Sequence, residues 1–261
     1  MPGQLHVGLK VGVQALAERF PLHARPVLDM AAGVLGGVPA QGLDWSQAGR
    51  LGLQAQKEYA ALVQRLLQAM SADVLRAAPQ HLARLLGLLQ ACAEDFAAAP
   101  GLVGQWLRRD RPRALALHRG EIEQLRAALA ACVDALDAPT QQVAQVRRRL
   151  PGLFDQLMAA SVACEWLAQG RGPALDEDVR GVLAERALAL ARSAALVRQQ
   201  QAQSAASAQG LAALRERIQE AVLIALPAWL AQLAAQPAEL NDTQRFVARD
   251  ALGQIIDRLE H

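Results

Sequence analysis

The chain has 261 residues, of which 52% are hydrophobic and 20% are charged, and its formal net charge is +2. This composition is typical of a folded globular protein and excludes a chain that is disordered throughout. The 27 basic and 25 acidic residues nearly balance, whereas nucleic-acid binding needs an uncompensated basic surface. The charge therefore predicts no nucleic-acid partner, although a localised basic patch is still compatible with it.

Apolar residues recur along the chain at steps of three and four, and no segment alternates with the period of two that marks a strand. Glycine and proline clusters divide this pattern into separate segments. The sequence predicts an all-α fold, an elongated bundle of long helices. The predicted helices are 4–19, 45–70, 72–98, 102–108, 113–136, 140–168, 176–235 and 243–258.

Several predicted helices begin with residues that can cap them. Asp44, with Gln47 three residues later, forms a capping-box pattern, in which side-chain oxygens accept hydrogen bonds from unpaired first-turn amides. Ser71 is a second candidate cap, and Asn241 is a third. Acidic residues 176–178 place negative charge at the amino end of the longest helix, where it opposes the macrodipole.

The segment 176–235 carries the longest periodic pattern. Its apolar positions at three-four spacing are Leu183, Ala187, Leu190, Ala194 and Val197, and the spacing resumes at Leu211. The pattern predicts a coiled-coil-like helical hairpin. The small-residue stretch 199–207 between the two runs either lets a neighbouring helix approach closely or marks a weakly held bend. Pro227 predicts a kink near the end of the segment.

The three cysteines, Cys92, Cys132 and Cys164, are odd in number and far apart in sequence. This usage indicates a reducing compartment and three buried thiols. No secretory signal pattern is present, and no apolar stretch reaches the roughly 20 residues needed to span a bilayer. The sequence therefore predicts a cytoplasmic protein without a transmembrane segment, and it leaves peripheral membrane association open.

The sequence carries no glycine-rich phosphate loop, HExxH pair, paired CxxC or nucleophile elbow. The internal histidines lie in different segments without a second metal ligand at a helical step. We therefore expect no enzymatic activity, no metal and no cofactor. An enzyme with an unfamiliar site is the remaining alternative.

Two arginine clusters are the candidate anion-binding residues, because guanidinium groups fork around carboxylates and oxyanions. They are Arg108, Arg109 and Arg111 in one cluster, and Arg147, Arg148 and Arg149 in the other. Each cluster either binds an anion or an acidic partner, or simply forms an exposed turn or helix end.

Two stretches carry a family resemblance. The first runs from Leu43-Asp44-Trp45-Ser46 through Gly52 and Ala55-Gln56 to Leu82-Ala83-Arg84-Leu85. The second runs from Ser193 through Gln203 and Ile218-Gln219 to Leu226-Pro227-Ala228-Trp229-Leu230-Ala231-Gln232. Both resemble the toxic anion resistance family, the TelA or KlaA proteins linked to tellurite resistance. The second departs from the family pattern at Leu230-Ala231, where family members have Lys-Asn.

The resemblance implies a helical protein without a membrane span that is associated with resistance to tellurite, other toxic anions or envelope stress. It divides the chain into an N-terminal helical segment, 1–40, and a TelA-like helical domain, 41–261. We expect protein-protein contacts rather than catalysis, with an unidentified protein partner and self-association as one form of contact.

The candidate partner-binding residues are Asp44, Gln56, Pro227, Trp229 and Gln232. For Trp229 the alternative is a packing role in the core. The alternative function is direct binding of an anion or metal ion by the arginines or cysteines.

Overall fold

The computed structural model describes residues 9–97, 113–236 and 240–260. Its helices are α1 (Val13–Arg19), α2 (Arg25–Gly36), α3 (Trp45–Arg50), α4 (Leu53–Met70), α5 (Val74–Ala97), α6 (Arg113–Ala135), α7 (Asp137–Ala168), α8 (Glu177–Arg217), α9 (Leu226–Ala234) and α10 (Asp242–Glu260). A π-helical segment, Ile218–Ala225, joins α8 to α9. No strand occurs in the described ranges. The predicted all-α class, built from packed long helices, is confirmed, whereas the elongated outline and the hairpin stay predictions.

Two local differences from the predicted helices have physical causes. Helix α2 was not predicted, because its glycines interrupt the apolar pattern, yet Val27, Leu28, Ala31 and Leu35 form one buried face. The predicted helix 45–70 is split between α3 and α4, because Gly52 adopts a left-handed φ of 70°. The predicted helix 102–108 lies outside the described residues.

The chain forms two compact units, each assembled from two separate stretches of sequence. Unit 1 consists of Met1–Leu67 and Gln142–Ala206, and unit 2 consists of Gln68–Gln141 and Ser207–His261. The proposed division at residue 40, which came from the family resemblance, stays a prediction.

The predicted capping box at Asp44 is confirmed, because its carboxylate accepts from the Gln47 amide at 2.7 Å and the Gln47 side chain accepts from the Asp44 amide at 3.0 Å. Asn241 caps α10 with Gln244 in the same reciprocal way. The prediction for Ser71 is wrong, since its hydroxyl donates to the Gln68 carbonyl of the preceding helix instead.

Unit 1 is organised around the first part of α8. Its predicted apolar seam is confirmed, since the members of that seam are all buried: Leu183, Ala187, Leu190, Ala194 and Val197. Ser204, seven residues beyond Val197, is also fully buried, and its hydroxyl donates to the Gln201 carbonyl of its own helix. The buried Ser161 of α7 donates to the Ala187 carbonyl of α8, which ties these two helices together.

Unit 2 contains α5, α6, α9 and α10 together with the end of α8. Pro227 falls in the first turn of α9, directly after the π-helical segment. A proline ring would clash with the carbonyl four residues earlier in a regular α-helix. The chain remains helical from Glu177 to Ala234, with π geometry in place of α geometry just before this proline.

Candidate functional site

A basic groove lies between α4 and α7 in unit 1. Leu62 and Arg65 line it from α4, and Gln145, Val146, Arg148 and Arg149 line it from α7. Its volume is about 380 Å³, which falls within the range of small-ligand pockets. The amphipathic packing of both helices explains this geometry, because Leu62 and Val146 are buried while the arginines beside them are exposed.

The three arginines of the basic groove, Arg65, Arg148 and Arg149, form no ion pair within the part of the chain that the structure describes. No carboxylate is among the described residues that line the groove. Among the described residues, these arginines make one weak hydrogen bond, which Arg148 Nε donates to the Ala144 carbonyl at 3.3 Å. The groove therefore holds positive charge that the described residues leave uncompensated.

The structure brings together only part of the predicted anion-binding set. Arg148 and Arg149 share the basic groove, whereas Arg147, also exposed on α7, does not line it. The other cluster, Arg108, Arg109 and Arg111, lies outside the described residues. Arg65 was missed, since a single arginine on an amphipathic helix carries no sequence signal of what packs beside it.

Gln56 was predicted to bind a partner, which stays a prediction, and the structure gives its side chain a contact within the fold. The half-buried amide donates from Nε2 to the Ser193 hydroxyl at 2.9 Å, and that hydroxyl donates to the Ala189 carbonyl. The hydrogen bond joins α4 to α8. Both residues belong to the stretches that carry the family resemblance, so this part of the pattern has an architectural role.

Gly52 has a similar architectural role at the start of α4. A Cβ at this position would lie 2.7 Å from Leu190 Cδ2 and 2.9 Å from the Ala160 Cβ. The neighbouring Leu51 carbonyl accepts from Arg186 Nε at 2.7 Å, which fixes the same turn to α8. Gly52 thus permits close packing of α4, α7 and α8.

Trp229 was predicted to bind a partner, with packing in the core as the alternative, and the structure favours the alternative. The side chain is only 3% exposed, and its indole Nε1 donates to the Ala248 carbonyl of α10 at 2.9 Å. Its ring packs edge-on against Phe96, with 6.2 Å between centroids. Trp229 is therefore a packing anchor that joins α5, α9 and α10.

The remaining candidate partner residues have separate environments. Asp44 is exposed, but its carboxylate caps α3 as described above. Pro227 is half-buried in the first turn of α9. Gln232 is exposed and lines a small groove with Val247 and Ala251 of α10. Of the five candidates, only Gln232 combines exposure with a side chain free of a described fold contact.

The predicted burial of the three cysteines is confirmed. Burial raises the pKa of the Cys164 thiol to about 12 and that of Cys92, which also lies near Asp95, to about 11. Burial raises the pKa of Cys132 as well. These thiols are protonated at neutral pH and are therefore weak nucleophiles and weak metal ligands. Within the described ranges, no three His, Cys, Asp or Glu side chains are grouped to hold a metal ion.

Comparisons with family models, curated proteins and solved structures find no match for this chain. The resemblance to the toxic anion resistance family therefore stays a prediction. No helix in the described part of the chain has both the length and the apolar character that a membrane crossing requires.

Proposed function

We propose that this chain is a non-catalytic helical contact protein of a toxic-anion (tellurite) or envelope-stress resistance system. In this proposal the basic groove binds an acidic segment of a protein partner. The observation that carries it is the convergence of Arg65, Arg148 and Arg149 on a groove that no described carboxylate lines. The family resemblance supplies the resistance system, and the raised thiol pKa values favour a role without covalent catalysis.

The chemistry of the groove suits a carboxylate-bearing ligand. Each guanidinium presents planar donors that match a carboxylate, and together the three helical arginines can contact successive acidic side chains. One exposed ion pair contributes only about 0.2–1 kcal/mol, so affinity requires several pairs at once. Such binding weakens as the salt concentration rises, because exposed charges are screened.

A second candidate function is direct binding of a free oxyanion, such as tellurite, by the same three arginines. The small volume of the groove, about 380 Å³, favours it. The two candidates share one chemistry and differ in the size of the ligand. Titration of the purified protein with sodium tellurite and with a labelled acidic peptide separates them.

The experiment compares Arg148→Glu with Arg147→Glu, a matched control on the same helix outside the groove. We expect Arg148→Glu to weaken acidic-peptide binding, measured by fluorescence anisotropy, by about fivefold or more, since a reversal removes one attraction and adds a repulsion. Arg147→Glu should change it by less than about twofold. In cells lacking the native gene, only the control should restore growth on tellurite.

Equal peptide binding by the two variants would refute the assignment of the groove. Tellurite binding that Arg148→Glu abolishes, without any acidic-peptide binding by the native protein, would favour the second candidate. Full restoration of tellurite growth by Arg148→Glu would separate the groove from resistance.

A further inference from the structure

Helix α10 carries an acidic stripe on its outer face, formed by Asp242, Phe246, Asp250 and Asp257. These residues are exposed and lie on one side of the helix. The opposite side is buried and consists of Ala248, Leu252, Ile255 and Leu259. The stripe is therefore the face of α10 that the described residues of unit 2 leave unpartnered.

The charges of the acidic stripe are not neutralised by ion pairs within the described residues. Among the described residues, the one hydrogen bond to these carboxylates is donated by Gln254 to Asp250 at 3.1 Å. Phe246 is 69% exposed and lines a groove of about 300 Å³ together with Asp250, Asp257 and Arg249. An isolated exposed phenylalanine is ordinary, but this ring lies in a groove lined by two carboxylates, those of Asp250 and Asp257, and one guanidinium, that of Arg249.

We propose that the acidic stripe of one copy of this chain docks in the basic groove of a second copy. The inference rests on the proposed function, because it names the partner of the same groove. The stripe offers three carboxylates beside one arginine, Arg249, and the groove offers three arginines, so the two surfaces carry opposite net charges. Asp250 and Asp257 lie about 10 Å apart along the helix, at 1.5 Å per residue, so they can contact different arginines.

Phe246 strengthens this pairing, because an aromatic ring stacks favourably against a guanidinium. The chain already contains such contacts, with Arg198 at 4.6 Å from the ring centre of Phe154 and Arg171 at 5.6 Å from that of Trp166. The other exposed acidic segment, residues 176–178, contains no aromatic residue that could stack in this way. The acidic stripe is therefore the better match for the groove.

The contact is heterologous, because each copy contributes a different surface to it. Every bound copy still presents a free groove or a free stripe, so assembly continues into rings or open chains rather than ending at a twofold dimer. The contact consists largely of exposed charge pairs, so the assembly should dissociate at high salt.

Sedimentation velocity of the purified full chain at low and high salt tests the proposal. We compare a groove variant, Arg148→Glu with Arg149→Glu, and a stripe variant, Asp250→Asn with Asp257→Asn, whose neutral side chains cannot pair with the altered groove. Asp134→Asn is the control, an exposed acidic position elsewhere in unit 2. The native chain and the control should assemble at low salt, and each double variant alone should stay monomeric.

An equimolar mixture of the two variants is decisive, since together they contain one intact groove and one intact stripe. We expect a complex of two chains that does not grow further. A native chain that is monomeric at both salt concentrations, or a mixture that stays monomeric, would overturn the proposal. In that case, the proposed function is tested separately by acidic-peptide binding. It survives if the native groove binds the peptide, and it fails if the groove variant binds the peptide as tightly as the native chain.

Discussion

Replacing Gly52 with alanine tests the close packing at the junction of α3 and α4. The backbone φ of 70° lies in the left-handed region, where a side chain is strained. The added methyl group would lie 2.7 Å from Leu190 Cδ2 and 2.9 Å from the Ala160 Cβ. The leucine tip can rotate away, but the alanine Cβ moves only with the backbone of α7.

The expected loss follows from these two contributions. The left-handed conformation costs an alanine about 1–2 kcal/mol, and overpacking typically costs about 1–3 kcal/mol. Their sum is about 2–5 kcal/mol, and partial relaxation of Leu190 favours a value near 3 kcal/mol. For a chain of this size, that loss lowers the melting temperature by about 6–12 °C.

The assay is urea unfolding followed by circular dichroism, with Gly181→Ala as the matched control. Gly181 lies in α8 of the same unit, and a Cβ there meets nothing within 4 Å. Alanine at that helical position should stabilise the protein by about 0.5–1 kcal/mol. If Gly52→Ala unfolds at the same urea concentration as the native protein, the packing argument is refuted.

Two further predictions concern buried groups. Trp229→Phe removes the donor to the Ala248 carbonyl and should lower the free energy of unfolding by about 1–3 kcal/mol, whereas Trp45→Phe, at an exposed position, should leave it nearly unchanged. Equal losses would contradict the anchoring role. For the three buried thiols, Ellman's reagent at pH 8 should detect no rapid reaction until urea unfolds the protein. Because the folded-state pKa of Cys164 is raised from 9.0 to about 12, the contribution of this thiol to stability should be present below pH 9 and decline as the pH rises toward 12. Rapid labelling of any thiol in the native protein would refute the burial of all three.

Local sequence patterns were sufficient for the helices that follow a regular period. The seam from Leu183 to Val197 was predictable, because a three-four spacing places these residues on one helical face whatever packs against it. The Asp44 capping box was also predictable, since both of its partners lie within four residues of each other in the sequence. Helix α2 was missed because burial of its apolar face offsets the low helix propensity of its glycines.

The basic groove was only half predictable, because its two sides come from helices far apart in sequence. Arg148 and Arg149 were recognised as a run, whereas Arg65 joins them only through the packing of α4 against α7. Trp229 shows the opposite limit. A large aromatic side chain two residues after Pro227 suits a surface contact as well as a core anchor. Only its contacts with the Ala248 carbonyl and the Phe96 ring distinguish these two roles.

The interleaved composition of the two units has a consequence for synthesis on the ribosome. The first stretch of unit 1, Met1–Leu67, cannot complete its fold until Gln142–Ala206 has been synthesised. The first stretch of unit 2 depends on Ser207–His261 in the same way. At 5–20 residues per second, the ribosome takes about 4–15 s to make the intervening stretch, Gln68–Gln141, before the completing residues of unit 1 begin to appear. During that interval the apolar face of α4 has no α7 or α8 to cover it. In the nascent chain this apolar face therefore stays exposed until α7 and α8 have been made.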